Sequence, residues 1–142
     1  MTFNIREATI QEVFEFSHQV FDPPQPIAAY HDRLSNVPHL LLIAETSEGK
    51  AVGFKVGYER EGYWYSWFGG VHPEHRRTGI ASALADAQDT WAKSKGYPHV
   101  SCKTRNNRRE MLAWCIKRGF RIIEVGPRED VDEYRIHLRK FY

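Results

Sequence analysis

The feature that most constrains this chain is a junction. An aromatic, strand-like run, Tyr63-Trp64-Tyr65-Ser66-Trp67-Phe68, leads through Gly69-Gly70 into Val71-His72-Pro73-Glu74-His75-Arg76-Arg77-Thr78-Gly79-Ile80-Ala81, and a helix-like run follows at once. Strand, glycine-bearing turn and helix in that order predict a right-handed crossover to a parallel strand. The turn also carries chemistry. Arg76-x-x-Gly79-x-Ala81 places small residues where a backbone must approach something closely as the helix begins. A helix start offers unpaired N–H groups and the positive end of its dipole, which favour an anion. An ordinary glycine turn would also start a helix. The placement favours a pyrophosphate cradle, and with it an enzyme that uses a phosphorylated cofactor.

The rest of the chain reads as one domain, residues 1–142. Thr2 to Ala8 has the character of a short strand, and Thr9 with Glu12 forms a capping box for a helix reaching about Val20. Asp22-Pro23-Pro24-Gln25-Pro26 breaks it, and a second short helix spans Ile27 to Ser35. Leu40 to Ala44 is a continuous apolar strand; Ser47 to Lys50 is a hairpin turn; Val52, Phe54, Val56 and Tyr58 alternate in the next strand. A turn near Glu61-Gly62 precedes the aromatic run. Beyond the junction, Ile80, Ala83, Leu84, Ala87 and Trp91 recur at helical spacing, and Gly96 ends that helix. Pro98 to Lys103 reads as a strand, Glu110 to Lys117 as a helix stopped by Gly119, and Phe120 to Val125 and Tyr134 to Leu138 as the last strands. The order is β-α-α-β-β-β-α-β-α-β-β.

Composition narrows the class. At 142 residues, 42% hydrophobic and 13% aromatic, the chain suits a folded core. A formal charge of +2 gives no argument for nucleic acid, and no apolar run approaches the roughly 20 residues that span a bilayer. Cys102 and Cys115 lack metal-ligand spacing and fit a reducing cytoplasm, the expected location. No metal is expected.

The element order, Val71-x-Pro73, Arg76-x-x-Gly79-x-Ala81 and the later Met111-Leu112-x-Trp114-x-x-x-x-Gly119-Phe120 together resemble the GNAT superfamily of acyl-CoA-dependent N-acyltransferases. The resemblance covers essentially the whole chain. It implies an α/β fold: a single mixed, mainly antiparallel sheet of about seven strands flanked by helices. It implies acetyl-CoA as co-substrate, its pyrophosphate held by the backbone from Arg77 to Ser82, that is Arg77, Thr78, Gly79, Ile80, Ala81 and Ser82, with Arg76 adding charge. Thr78 and Ser82 could add hydroxyl donors. Gly69-Gly70 predicts a bulge or a close backbone approach, with a simple strand end as the plain alternative. By resemblance the fourth strand diverges there from the fifth, and an N–H near Val71 polarises the thioester carbonyl. Asn106, rather than Asn107, would hydrogen-bond the cofactor arm. Arg105, Arg108 and Arg109 could meet its 3′-phosphate or simply form a solvated basic loop.

Two positions depart from the family pattern. A Tyr general acid often stands four residues before the Gly of Gly-Phe; here that residue is Cys115, a proton donor or a small core residue. A Glu often stands six residues before the Val of Val-x-Pro; here that residue is Tyr65, a poor base that could order a water or line the acceptor site. The reaction expected is acetyl transfer to a primary amine, on a small molecule or a protein, by direct attack. The competing expectation is a non-catalytic acyl-CoA-binding or sensing module. The three prolines would stiffen a rim on the acceptor pocket, with Asp22 attracting a cation. The final strand would be exposed and could pair across a homodimer.

Overall fold

Five consecutive apolar residues suit a strand only if both its faces are covered, and Leu40 to Ala44 meet that condition. The computed structural model, which describes residues 2–142, has the order β1 (Phe3–Glu7), α1 (Ile10–Ser17), α2 (Ile27–Leu34), β2 (His39–Thr46), β3 (Ala51–Arg60), β4 (Tyr63–Val71), α3 (Ile80–Ser94), β5 (His99–Arg105), α4 (Arg109–Lys117), β6 (Arg121–Gly126) and β7 (Arg135–Phe141). Leu41 and Ile43 enter a core with Val13, Phe16, Tyr30 and Leu34 of α1 and α2. Leu40, Leu42 and Ala44 enter a second core with Ile80, Leu84 and Ala92 of α3. A third, smaller cluster of Cys102, Ile136 and Leu138 receives Cys115 of α4.

The seven strands form one sheet in the order β1-β2-β3-β4-β5-β7-β6. All neighbours are antiparallel except β4 and β5, the parallel pair joined through α3. The capping box is present: Thr9 Oγ1 accepts from the Glu12 N–H at 3.1 Å, and Glu12 accepts from the Thr9 N–H at 3.0 Å. Gly96 and Gly119, at φ +87° and +97°, follow α3 and α4 as helix stops.

Three expectations change. The first helix ends at Ser17 rather than near Val20, because the Ser17 hydroxyl and the His18 ring both engage the Phe14 carbonyl. The chain then continues in turns, with the Val20 and Phe21 N–H groups both donating to the Ser17 carbonyl. The final strand is not an exposed edge. β7 folds back from β6 to pair with β5 over seven residues, so the edge at this end of the sheet is β6. Third, β4 bulges at Trp67, not at the glycines. Val56 pairs with Phe68 and Gly57 with Ser66, leaving Trp67 as the extra residue. Gly69 and Gly70 serve the close approach instead: a Cβ on Gly69 would stand 2.6 Å from the Phe54 carbonyl oxygen, and one on Gly70 2.5 Å from Val20 Cγ1.

Candidate active site

β4 and β5 pair only at Trp64 with Val100 and Tyr65 with Ser101. Past the Trp67 bulge the strands separate, and the gap is a cleft of about 430 Å³ lined by Gly69, Gly70 and Val71 on one side and Cys102 and Lys103 on the other. The His72 N–H donates to the Val52 carbonyl at 2.9 Å. Amides alternate in direction along an antiparallel ladder, so the N–H groups of Val71 and Gly69 point away from β3 and into the gap.

At one end the cleft meets the start of α3. Val71, Arg76, Arg77, Gly79, Ile80, Ala81 and Ser82 line a concave surface there. Gly79 is the N-cap residue at φ +86°, with nothing within 4 Å of where its Cβ would be, and Arg77 also takes a left-handed φ of 64°. No side chain caps this helix, and its first backbone bond runs from the Ala83 N–H to the Gly79 carbonyl. The amides of Ile80, Ala81 and Ser82 are therefore turned toward open space at the positive helix end. Arg76 is anchored across the entrance, its Nε donating to the Val71 carbonyl at 3.3 Å. Trp114 of α4 closes the far side, donating from Nε1 to Ser82 Oγ at 3.3 Å. The Ser82 hydroxyl proton is left available. That of Thr78 is not: it is donated to the His75 carbonyl, so Thr78 contributes backbone rather than a hydroxyl donor.

At the other end lies a wider mouth. Phe21, Pro23, Pro24 and Gln25 from the α1–α2 connection face Trp67 and Phe68, with Lys103, Arg105 and Arg108 beyond. The proline segment does form a rim. Asp22 is not among the lining residues, and no carboxylate is.

The remaining expected residues lie elsewhere. Tyr65 is buried among core residues, edge-on to Tyr58 at 5.4 Å, with the Arg60 guanidinium 4.8 Å from its ring centre. Burial raises its pKa, so the phenol stays neutral, and it stands apart from the cleft walls. Asn106 is tied to the β6–β7 connection, its side chain donating to the Val131 carbonyl at 3.1 Å and its N–H to that of Tyr134 at 2.9 Å. Its neighbours Arg105 and Arg108, not Asn106, line the mouth. Cys115 is 1% exposed, with its sulfur 4.0 Å from that of Cys102. That contact, followed by burial, pushes the Cys102 thiol up; the same contact draws Cys115 down, with burial opposing the shift. Both thiols line a small recess opening off the cleft, shared with Lys55, Ser66 and Asp89. Lys55 was missed. Its signal lay in the neglected phase of β3: Gly53-x-Lys55-x-Gly57, a charge between glycines in the apolar first part of the strand.

The acetyltransferase (GNAT) family model matches residues 7–120. The chain belongs to the GNAT acetyltransferase family. Solved GNAT-like structures share its fold at low identity. An IAA acetyltransferase from Bacillus cereus ATCC 14579 matches with a TM-score of 0.80 and 21% identity, over 99% of this chain and 100% of that one. Ard1 from Thermoplasma volcanium matches at 0.82 and 20%, over 99% and 98%. A GNAT family acetyltransferase from Elizabethkingia anophelis with acetyl-CoA bound matches at 0.77 and 18%, over 99% and 98%. No curated protein matches the chain. The GNAT assignment makes acetyl-CoA the co-substrate, and the free amides beside Gly79 together with the cleft between β4 and β5 fit its diphosphate and its arm. Among the described residues no group of three or more His, Cys, Asp and Glu side chains is placed to hold a metal. No described helix is long and apolar enough to cross a membrane.

Proposed function

We propose that this protein transfers the acetyl group of acetyl-CoA to a primary amine by direct attack of the amine on the thioester. One observation carries the reading. The gap between β4 and β5 connects unpaired amides at the start of α3 to a separate aromatic and basic mouth, so donor and acceptor can enter from opposite ends. The amides of Ile80, Ala81 and Ser82, with Arg76 and Arg77, hold the diphosphate. The Val71 and Gly69 N–H groups face the gap, where they stabilise charge developing on the thioester oxygen. The cleft-wall thiol, Cys102, is held protonated against Cys115, which makes it a weak nucleophile and favours direct transfer over an acyl-enzyme.

The mouth also speaks to the acceptor. Lys103 and Arg108 line it outside the ion pair that holds Arg105 to Glu133 at 3.8 Å, which favours an amine that carries an acidic group, such as an amino acid or an acidic peptide end, over a polyamine. The Arg33 guanidinium already lies 4.6 Å from the Trp67 ring centre, so this aromatic face has a cation before any acceptor arrives. A panel of amines assayed by release of the CoA thiol tests the proposal. Turnover of acidic amines ahead of polyamines is expected. Acetyl-CoA binding without turnover of any amine would instead mark a sensing module.

A further inference from the structure

Lys55 and Glu110 are the charged cleft residues that this reading leaves unused, and the fold goes to some length to place Lys55. α3 sits close on β3 at two glycines: a Cβ on Gly53 would stand 2.8 Å from Ile80 Cγ2, and one on Gly57 2.6 Å from Gln88 Oε1. The side chain between them cannot rise toward the helix and must lie sideways across the sheet. Its cross-strand partner is Gly69, where a Cβ would come within 3.5 Å of Lys55 Cβ. A glycine at 69 leaves the path over β4 open. Lys55 accordingly lines both the cleft and its inner recess, beside Ser66, Cys102 and Met111. The single carboxylate of the recess, Asp89, is already engaged by Lys140, by Arg118 at 3.3 Å and by the Tyr142 hydroxyl at 2.9 Å. Among the described residues no ion pair includes Lys55.

We propose that Lys55 is the proton donor to the sulfur that leaves during acetyl transfer. The proposal rests on the acetyltransferase reading above. As the acceptor nitrogen attacks the carbonyl carbon, the C–S bond breaks with its electron pair on sulfur, and the Lys55 ammonium passes a proton there. Lys55 is left neutral and regains a proton from solvent through the cleft. The surplus proton of the attacking nitrogen leaves to solvent by the same route. Lys55 reaches the recess that Cys115 lines, so it supplies from β3 the proton that Cys115, buried against Cys102, does not.

The energetics agree with that role. Burial lowers the Lys55 pKa from its usual value of 10.5, with the Cys102 and Cys115 thiols opposing the shift, Arg118 adding to it and Asp89 opposing it weakly. The residue keeps some accessible surface, but that surface opens into a concave cleft rather than bulk water. A lowered ammonium gives up its proton more readily, which suits transfer to a leaving thiolate.

The test is a titration of the thiol of bound CoA, followed by thiolate ultraviolet absorbance and corrected with the desulfo-CoA complex. The correction removes Cys102 and Cys115. The other charged neighbours, Arg76, Lys103 and Glu110 along the cleft and Asp89 and Arg118 in the recess, are common to every variant. The bound thiol should titrate about one unit lower in the wild type than in Lys55→Met. Acetyl transfer by Lys55→Met should fall about 100-fold. Lys55→Arg should keep the low titration yet transfer slowly, since a guanidinium stabilises a thiolate without giving up its proton. Lys55→Met should melt no lower than the wild type, and Lys55→Gln, a second neutral variant, should titrate as Lys55→Met does. Equal titration points in the wild type and both neutral variants would overturn the role. Failure of the wild type to bind CoA would overturn the acetyltransferase reading itself.

Discussion

The two parts of the sheet on either side of the cleft are built differently. β1 to β4 are covered on one face by α1 and α2 and on the other by α3, and hold Trp64, Phe54, Ile43 and Val56 at 2% exposure or less. The β5-β7-β6 arm has one cluster under α4, and β6 leaves Ile122, Ile123 and Val125 at 41–50% exposure. The parts share only two paired residues on each of β4 and β5. What holds the arm to the body is therefore side chains as much as backbone: Asp89 of α3 receives Arg118 from the end of α4 and Lys140 and Tyr142 from the last strand and its end. A rigid body, a lighter arm and a polar clasp permit a gap in a sheet without loss of the fold.

Asp89→Ala should therefore have the largest effect, up to about 3 kcal/mol in chemical denaturation, because it strands the largely buried Lys140 and leaves Arg118 only the exposed Asp86. A loss below about 1 kcal/mol would mean that the arm is held by other means. Gly57→Ala belongs to the body, where a methyl would stand 2.6 Å from both Gln88 Oε1 and Trp64 Nε1; overpacking of this kind costs about 1–3 kcal/mol, measurable by urea midpoint.

Thr9→Ala should cost about 1 kcal/mol by removing the cap of α1. The same cap predicts a pH dependence. The Arg6 guanidinium, 2.6 Å away, and the Thr9 N–H lower the Glu12 pKa from 4.5 to about 2. A lowered carboxyl stabilises the fold above its unfolded value and ceases to do so as pH falls through its folded one. The wild-type urea midpoint should thus drop between pH 4.5 and about 2, and by less in Glu12→Gln. Both partners are well exposed, so the slope should be shallow and should weaken with salt. The smallest effect belongs to the arm's edge. Ile123→Lys on β6 should change stability by no more than about 0.5 kcal/mol, and a fall in sedimentation coefficient on that substitution would show that copies pair there.

How much of this was legible in the sequence follows from the range of each interaction. The start of α3 at Gly79 was readable because Gly79 and its neighbours act through local backbone geometry, and so were the Thr9 cap and the glycine stops at Gly96 and Gly119. Strand order was not. That β7 lies inside and β6 at the edge depends on pairing between β5 and β7, which no local pattern in Arg135–Phe141 encodes. The bulge fell at Trp67 because bulges answer to register with β3, whereas Gly69 and Gly70 are small for what presses on them from Phe54 and Val20. Tyr65 and Cys115 were singled out by position in a family pattern, yet side-chain direction put one in the core and paired the other with Cys102. Lys55 escaped notice because its meaning comes from Gly69, fourteen positions away in sequence and directly opposite in the sheet.

The central claim is that backbone amides at the start of α3 hold the diphosphate of CoA. Calorimetric titration of CoA into the wild type and Gly79→Glu tests it directly. A carboxylate set at the helix start, on a residue held at φ +86°, should weaken binding by at least about 100-fold while leaving the melting temperature within a few degrees. Equal affinity in the two proteins, or no heat of binding in the wild type, would contradict it.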